Sequence, residues 1–474
     1  MAGKMTKKEV EALSKKVCRE QAPVWDCLSA AEEKRVFSVD KQYRRFLDAA
    51  KTERLAVEEI VRILENNGFA DIDKASSRKT RVYKVYHNKA VAAAVTGRRP
   101  LSAGLNLVAA HIDSPRLDLK QNPLYEEIEL AMLKIHYYGG IRKYQWLARP
   151  LALYGRIIKK DGKALDIAIG EADEDPVLTI ADLLPHLARK LQEGKKLADV
   201  FEGEKLNLLA GSRPTGDKKV KERFKLTVLK CFYEKYGIVE EDFVSAELEA
   251  VPAGKARDVG LDRSLIGAYG QDDRICSFSA LEAISGLKQP DRTAAVMFYD
   301  KEEIGSEGNS GAKSRMLEDF VSDLLDRSQE AADDRTLRKA LVASRALSAD
   351  VNGALDPDYQ EVHEKRNAAR LGYGICITKF TGSGGKTGSS DASAEYVGWL
   401  RKLFNNARVC WQTGELGKVD QGGGGTIAKF LAAYGMDIVD CGPALLGMHS
   451  PFEISSKADL FMTIKAYEAF LASD

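Results

Sequence analysis

The stretch Asp300-Lys301-Glu302-Glu303-Ile304-Gly305 follows an apolar run, Thr293 to Tyr299, whose centre reads AAVMF. A short run of this kind, partly β-branched and aromatic and closed by charged residues, predicts a buried β-strand. Two adjacent glutamates at its mouth repel each other, and withdrawal from water adds to the cost. The conflict disappears if one carboxylate holds a cation while its neighbour takes a proton from a water beside that cation. Adjacent side chains on an extended chain point in different directions, so neighbours can divide these roles. A glutamate pair at a strand end is also ordinary loop chemistry. The reading therefore turns on whether other residues complete a metal site.

Outward from this stretch the same grammar recurs. Leu105 to Ala110 (LNLVAA) reads as a second buried strand and runs into HIDSPR. The runs LVASRALSAD (341–350), GICITKF (374–380) and MDIVDCG (436–442) predict further strands. Between them lie helical patterns: Asp272 to Leu287, MLEDFVSDLL (316–325), ASAEYVGWLRKLF (392–404), TIAKFLAAYG (426–435) and Ser456 to Leu471. Ser29 to Gly68 is also helical, with Thr52 placed to cap and Gly68 to stop it. Strands alternating with helices predict an α/β fold, a mostly parallel mixed sheet flanked by helices. Ligand sites in such folds lie at the carboxyl ends of the strands.

At 474 residues the chain exceeds what one core supports, so two domains are expected. From about Leu119 to Val251 the alternation breaks into strand-like pieces and charged helical ones. This predicts an inserted second domain containing β-strands, 119–251, within a catalytic domain made of 1–118 and 252–474. Lys+Arg (71) balance Asp+Glu (70), so bulk charge gives no reason to expect nucleic acid or membrane binding. No apolar run is long enough to span a bilayer. The first residues are basic and polar without an apolar signal core, and seven scattered cysteines form no CxxC. Reduced thiols and a cytoplasmic protein are expected.

The chemistry resides in residue types at strand ends and helix starts. His111 and Asp113 stand two apart, on one side of an extended chain, where Asp113 can orient His111. Asp350 ends a predicted strand, and His449 follows another. Asp272 opens a helix, where an acid is also favourable for electrostatic reasons alone. Singly, each has an ordinary explanation. Jointly, two histidines and several carboxylates fall at five such positions. An aspartate can bridge two ions, with one histidine and one further carboxylate completing each site and leaving a place open.

In this order HIDSPR, GQDDR, DKEEIGS, SAD and GMHSPFE resemble the dinuclear zinc aminopeptidases of the aspartyl aminopeptidase and vacuolar aminopeptidase I family, bacterial branch. YYGGIRKYQW (137–146) and DPDYQEVHEKRN (356–367) extend the likeness over nearly the whole chain. The resemblance implies two zinc ions, for which cobalt or manganese can substitute. It implies His111, Asp272 and Asp350 at one ion, and Asp272, Glu303 and His449 at the other. It implies Glu302 as general base and Asp113 as the acid supporting His111. It further implies peptide substrates with a free amino terminus, and a homo-oligomer in which dimers build a tetrahedral dodecamer.

Some segments differ from the family pattern. SADVNGALDPD carries Gly353 and Asp356 where the aspartyl branch has histidines, and PHLARKL places Lys190 where a histidine is common, with His186 nearby. The first-residue loop reads KFTGSGGKTGSSDAS. The resemblance therefore carries no expectation of an acidic first residue. His186, Lys386, Gly425 and Thr426 are the expected substrate contacts, the last two at the end of the Gly422 to Gly425 run and just after it, where the backbone can approach a peptide closely. Gly384-Gly385-Lys386-Thr387 is no phosphate loop, because the pattern needs glycine where Phe380 stands. The other readings of the whole are a related zinc carboxypeptidase or amidohydrolase, and a self-assembling scaffold with a vestigial site.

Overall fold

The computed structural model describes residues 5–19, 21–328 and 330–474. Its centre is a nine-stranded mixed sheet. The strand order is 70–71, 81–86, 90–95, 293–299, 105–111, 345–348, 437–442, 375–378 and 411–413. Thr293–Tyr299, Leu105–His111, Arg345–Ser348 and Asp437–Gly442 run parallel side by side in the middle. Their carboxyl ends therefore open on one edge of the sheet, which places Asp300, His111, Ala349-Asp350 and the chain after Gly442 together.

Period-two alternation splits these strands between two cores. Val91, Ala93 and Val95, with Val108, Ala110, Val296 and Phe298, pack against the Glu53–Asn66, Gln271–Gly286 and Lys457–Leu471 helices. Ala92, Ala94, Leu107, Ala109, Ala295 and Met297 pack on the opposite face against Met316–Ser328, Asp334–Val342 and Ala428–Ala432. A strand buried on both faces reads as a continuous apolar run, which is why the sequence showed them so clearly. Each fully buried Val, Ile, Leu or Phe contributes about 1.5–3 kcal/mol.

Ser29 and Thr52 accept backbone N–H groups at the starts of the Ala30–Ala49 and Glu53–Asn66 helices. The long helical stretch is thus two helices, divided where Lys51 and Thr52 leave helical geometry. The run LVASRALSAD divides differently from expectation. Leu341 and Val342 end a helix capped by Asp333, and only Arg345–Ser348 is strand. The amphipathic pattern of DRTLRKALV buries Ala340 and Leu341 and exposes Val342, so helical period wins there. TIAKFLAAYG is helical only over Ala428–Ala432.

A second sheet of six strands runs in the order 164–169, 151–158, 246–252, 116–127, 130–138 and 208–211, antiparallel throughout. It has its own core around Trp146, Leu153, Ile157, Leu208 and Phe243. Its Arg116–Glu127 strand begins five residues after His111, so this sheet starts beside the carboxyl edge of the large one. No helix among the described residues is long and apolar enough to cross a membrane.

Candidate metal centre

His111 is the last residue of its strand, and its backbone is held by two neighbours in the Gln271–Gly286 helix. Its N–H reaches Asp273 Oδ2 at 3.3 Å, and its carbonyl accepts the Ser277 hydroxyl at 2.7 Å. Asp272 lies at the start of that helix but outside helical geometry, at φ −80° and ψ 109°, with its own carbonyl fixed by Ser114 Oγ at 2.7 Å. Glu302 and Glu303 lie on a single 3-10 turn, Glu302–Ile304, entered through Lys301 at φ 66°. The Lys301 turn lifts the chain off the sheet, so the glutamates overhang the strand ends. His449, also at positive φ, sits in the loop before the Glu453–Ser456 strand.

These residues converge. His111, Asp272 and Asp350 present donor atoms within 4.8 Å of one another, and so do Asp272, Glu303 and His449. Asp272 belongs to both groups. Its Oδ1 lies 3.2 Å from His111 Nε2, and its Oδ2 lies 3.2 Å from His449 Nε2. Glu303 Oε2 is 3.4 Å from the same His449 nitrogen. Yet Asp272 Oδ1 and Glu303 Oε1 are buried without any hydrogen-bond partner. Asp272 Oδ1 lies 3.2 Å from His111 Nε2 without a hydrogen bond to it, and Glu303 turns one oxygen toward His449 and leaves the other unpartnered. Such orphaned oxygens cost about 1–3 kcal/mol each unless something else satisfies them. Imidazole nitrogen with carboxylate oxygen, two or three to a site, is a donor set that suits zinc.

The electrostatics agree. Burial pushes the Glu303 and Asp350 carboxyls well above their usual range, and neighbouring acids, Asp272 for the first and Asp273 with Asp272 for the second, push further. Burial takes the Glu302 carboxyl up to about 7, against the opposing pull of His111, with Asp113 and Asp272 adding to the rise. Burial alone would depress the histidines. For His449 the pull of Asp272 and Glu303 outweighs it and raises the ring to about 11; His111 is raised by Asp113 and Asp272. The acids demand positive charge, and the imidazoles are drawn to hold protons to provide it. A cation would release those protons.

Around the donors lies an ordered outer ring of contacts. Asp113 accepts the N–H of Glu302 at 3.1 Å, the N–H of Glu303 at 3.2 Å and the Tyr138 hydroxyl at 2.8 Å, and lies 3.2 Å from His111 Nδ1. Glu453 accepts the N–H groups of Gln271, Asp272 and His449 at 2.6, 3.1 and 2.8 Å. One glutamate thus ties Asp272, the residue common to both groups, to His449. The Gly140 carbonyl lies 2.8 Å from His449 Nδ1, leaving Nε2 for the centre. Sequence reasoning missed Tyr138, Gly140 and Glu453. The first two stood in YYGGIRKYQW and the third in GMHSPFE, but hydrogen-bonding partners of ligands leave no spacing signature.

A cavity of about 450 Å³ opens over the donors. Lys386, Gly425 and Thr426 line it, and Thr426 donates its hydroxyl to buried Asp440 at 2.7 Å. His186 does not line it; it lies exposed on the Pro185–Leu191 helix. Asp440, Asn352 and Lys429 also face the cavity and were not anticipated.

Comparison with known proteins gives one consistent result. Residues 46–471 match the family model described as aminopeptidase I zinc metalloprotease (M18). A probable M18 family aminopeptidase 1 of Clostridium acetobutylicum is 49% identical over 459 residues, 96% of this chain and 98% of that protein. A protein of the same description from Thermotoga maritima is 50% identical over 442 residues, 93% of this chain and 96% of that protein. The crystal structure of an M18 aminopeptidase from Thermotoga maritima superposes with a TM-score of 0.91 at 49% identity, covering 96% and 99% of the two chains. The S. cerevisiae mApe1 dodecamer shares the fold at a TM-score of 0.73 and 21% identity, covering 91% and 96%.

Proposed function

Because the chain belongs to the M18 family of aminopeptidase I zinc metalloproteases, we propose that its carboxyl-edge cluster holds two zinc ions and removes the first residue of peptides with a free amino terminus. His111, Asp272 and Asp350 would hold one ion, and Asp272, Glu303 and His449 the other. The observation that carries this reading is the pair of donor groups sharing Asp272, whose facing atoms are close but not hydrogen-bonded. Zinc bound there would supply Lewis-acid polarisation of the scissile carbonyl and acidify water.

The chain's own residues do the rest. Glu302 adjoins a ligand yet belongs to neither donor group, so its carboxylate is free to accept a proton from the attacking water and deliver it to the leaving amine. Asp113 holds the Glu302 and Glu303 backbone in place and keeps His111 oriented. Asp272, Glu302, Glu303 and Asp350 form the floor of the cavity, so a peptide end bound there lies directly over the donor groups. Lys386 and the Gly425-Thr426 backbone line the space for the first residue and its carbonyl.

We further propose that residues 119–251 form the oligomerisation domain within a catalytic body of 1–118 and 252–474. Leu187 and Leu191 are exposed on one short helix of this region, with exposed Leu184 just before it, and a second copy of this chain is the occupant we assign to them. The dodecamer is the assembly expected. A cytoplasmic setting accords with seven cysteines that form no disulfide.

The test is to strip the protein with a chelator and restore Zn²⁺, Co²⁺ or Mn²⁺ over a panel of fluorogenic aminoacyl amides with N-acetylated controls. Metal-dependent release from free-amine substrates alone supports the proposal. Cleavage of acetylated or carboxyl-terminal substrates moves the chain to the carboxypeptidase or amidohydrolase reading. Inactivity with every metal favours the scaffold.

A further inference from the structure

One short turn of the six-stranded sheet touches both halves of the metal centre. It is Tyr138-Gly139-Gly140, at the end of the Leu130–Tyr138 strand. Tyr138 donates its hydroxyl to Asp113 Oδ2 at 2.8 Å, and Asp113 Oδ1 lies 3.2 Å from His111 Nδ1. Gly140 offers its carbonyl to His449 Nδ1 at 2.8 Å. Both glycines lie flush against proposed ligands. A Cβ at Gly139 would come within 3.3 Å of the Glu303 Cβ, and one at Gly140 within 3.3 Å of His449 Nδ1. Gly139 also needs its positive φ of 73°, whereas Gly140 has ordinary backbone geometry. At Gly140, then, the absence of a side chain serves the imidazole and not the turn.

We propose that this turn positions the metal ligands: Tyr138 sets His111 through Asp113, and Gly140 sets His449 directly. The large sheet supplies the donors; the turn fixes directly which nitrogen His449 presents, whereas at His111, whose Nδ1 also meets the Asp113 backbone carbonyl at 3.1 Å, it acts by holding the Asp113 carboxylate. In a tautomer fixed by a carbonyl at Nδ1, the lone pair is at Nε2, the atom that faces Asp272 and Glu303. Nothing in the large sheet makes an equivalent contact with His449 Nδ1. Occupancy of the second ion therefore depends on how the six-stranded sheet is docked. This inference rests on the ligand assignment given above.

The experiment is a zinc titration of ion-free full-length protein against a chromophoric chelator, which resolves successive binding steps. His111→Ala and His449→Ala identify which step belongs to which position. Gly140→Ala is expected to weaken the His449 step by about 10–100-fold, the usual effect of disturbing a ligand's hydrogen-bond partner, and to spare the His111 step. Tyr138→Phe, which removes one hydroxyl, is expected to weaken the His111 step by about tenfold and to spare the other. Thermal unfolding of each ion-free variant is followed in parallel. Wild-type protein that holds fewer than two ions overturns the ligand assignment and this inference with it. Wild-type protein with two ions, and variants that shift neither step or both equally, overturns this inference alone. Equal weakening accompanied by lost ion-free stability marks the turn as merely structural, and also overturns it.

Discussion

The carboxylate of Asp113 accepts the backbone N–H of Glu302 at 3.1 Å, and this contact links the acid behind the first histidine to the proposed base. Asp113 is fully buried and serves only donors: two backbone N–H groups, one phenol and one imidazole. An amide in its place would turn an NH₂ group toward at least one of those donors. Asp113→Asn is expected to lower zinc affinity at the His111 position by about 10–100-fold and to lower kcat with it. Metal content after dialysis, set beside kcat at saturating zinc, checks this. Full zinc retention with unchanged kcat would refute the role.

Glu302→Gln keeps the size and hydrogen-bonding shape of the side chain and removes its ability to take a proton. The variant should bind zinc as the parent does and lose about 10²–10⁴-fold in kcat, the usual contribution of a general base. Single-turnover assays on the fully metallated variant decide the matter, and normal turnover there would remove Glu302 as the base.

Asp272 is the one residue common to both donor groups. Asp272→Asn should therefore deplete both ions, whereas His449→Ala should deplete one. Metal analysis by mass spectrometry distinguishes these outcomes, and an Asp272→Asn protein with its full zinc complement would sink the bridging assignment. Chelation of the parent protein should reduce activity and lower its unfolding temperature together, because ions that bind only the folded chain stabilise it by mass action.

Asp459, distant from the centre in sequence role, gives a pH prediction. It is the third residue of the Lys457–Leu471 helix, and its two oxygens accept Gly372 N–H and Gly374 N–H at 2.6 Å each. Burial raises this carboxyl to about 7, although the two N–H groups pull it down. A folded-state pKa above the unfolded value means stability is fully present below about pH 4 and is lost as pH rises through 7, by roughly 4 kcal/mol at most. Asp459→Asn carries its own constant cost but not this slope. The gap in unfolding temperature between parent and variant should narrow steadily from pH 4 to pH 8. A constant gap would contradict it.

The central strands were legible because their positions between two helical layers leave no room for polar residues. Thr293–Tyr299 and Leu105–His111 announced themselves by length and apolarity alone. Where burial is one-sided the signal weakened: Leu341 and Val342, read as strand, complete a helix whose exposed face carries Arg and Lys. Strand-end reasoning found the donors that meet at the centre, since side chains there have few other places to go. It could not find Glu453 or Gly140, because a carboxylate gathering N–H groups and a carbonyl behind an imidazole depend on approach in space. His186 illustrates the converse. It was chosen from its place in a motif, and it lies on an exposed helix outside the cavity of its own chain.

The order of the donors along the chain has a consequence for biosynthesis. His111, Asp272, Glu303 and Asp350 precede the Asp437–Gly442 strand, while His449 follows it. A nascent or truncated chain that stops before that strand has the residues for one proposed ion but not for its partner. Completion of the second position thus requires that synthesis has passed His449 and that the loop carrying it has docked beside Asp272 and Glu303. Peptide-bond hydrolysis that needs both ions would stay silent in any nascent chain that stops short of His449.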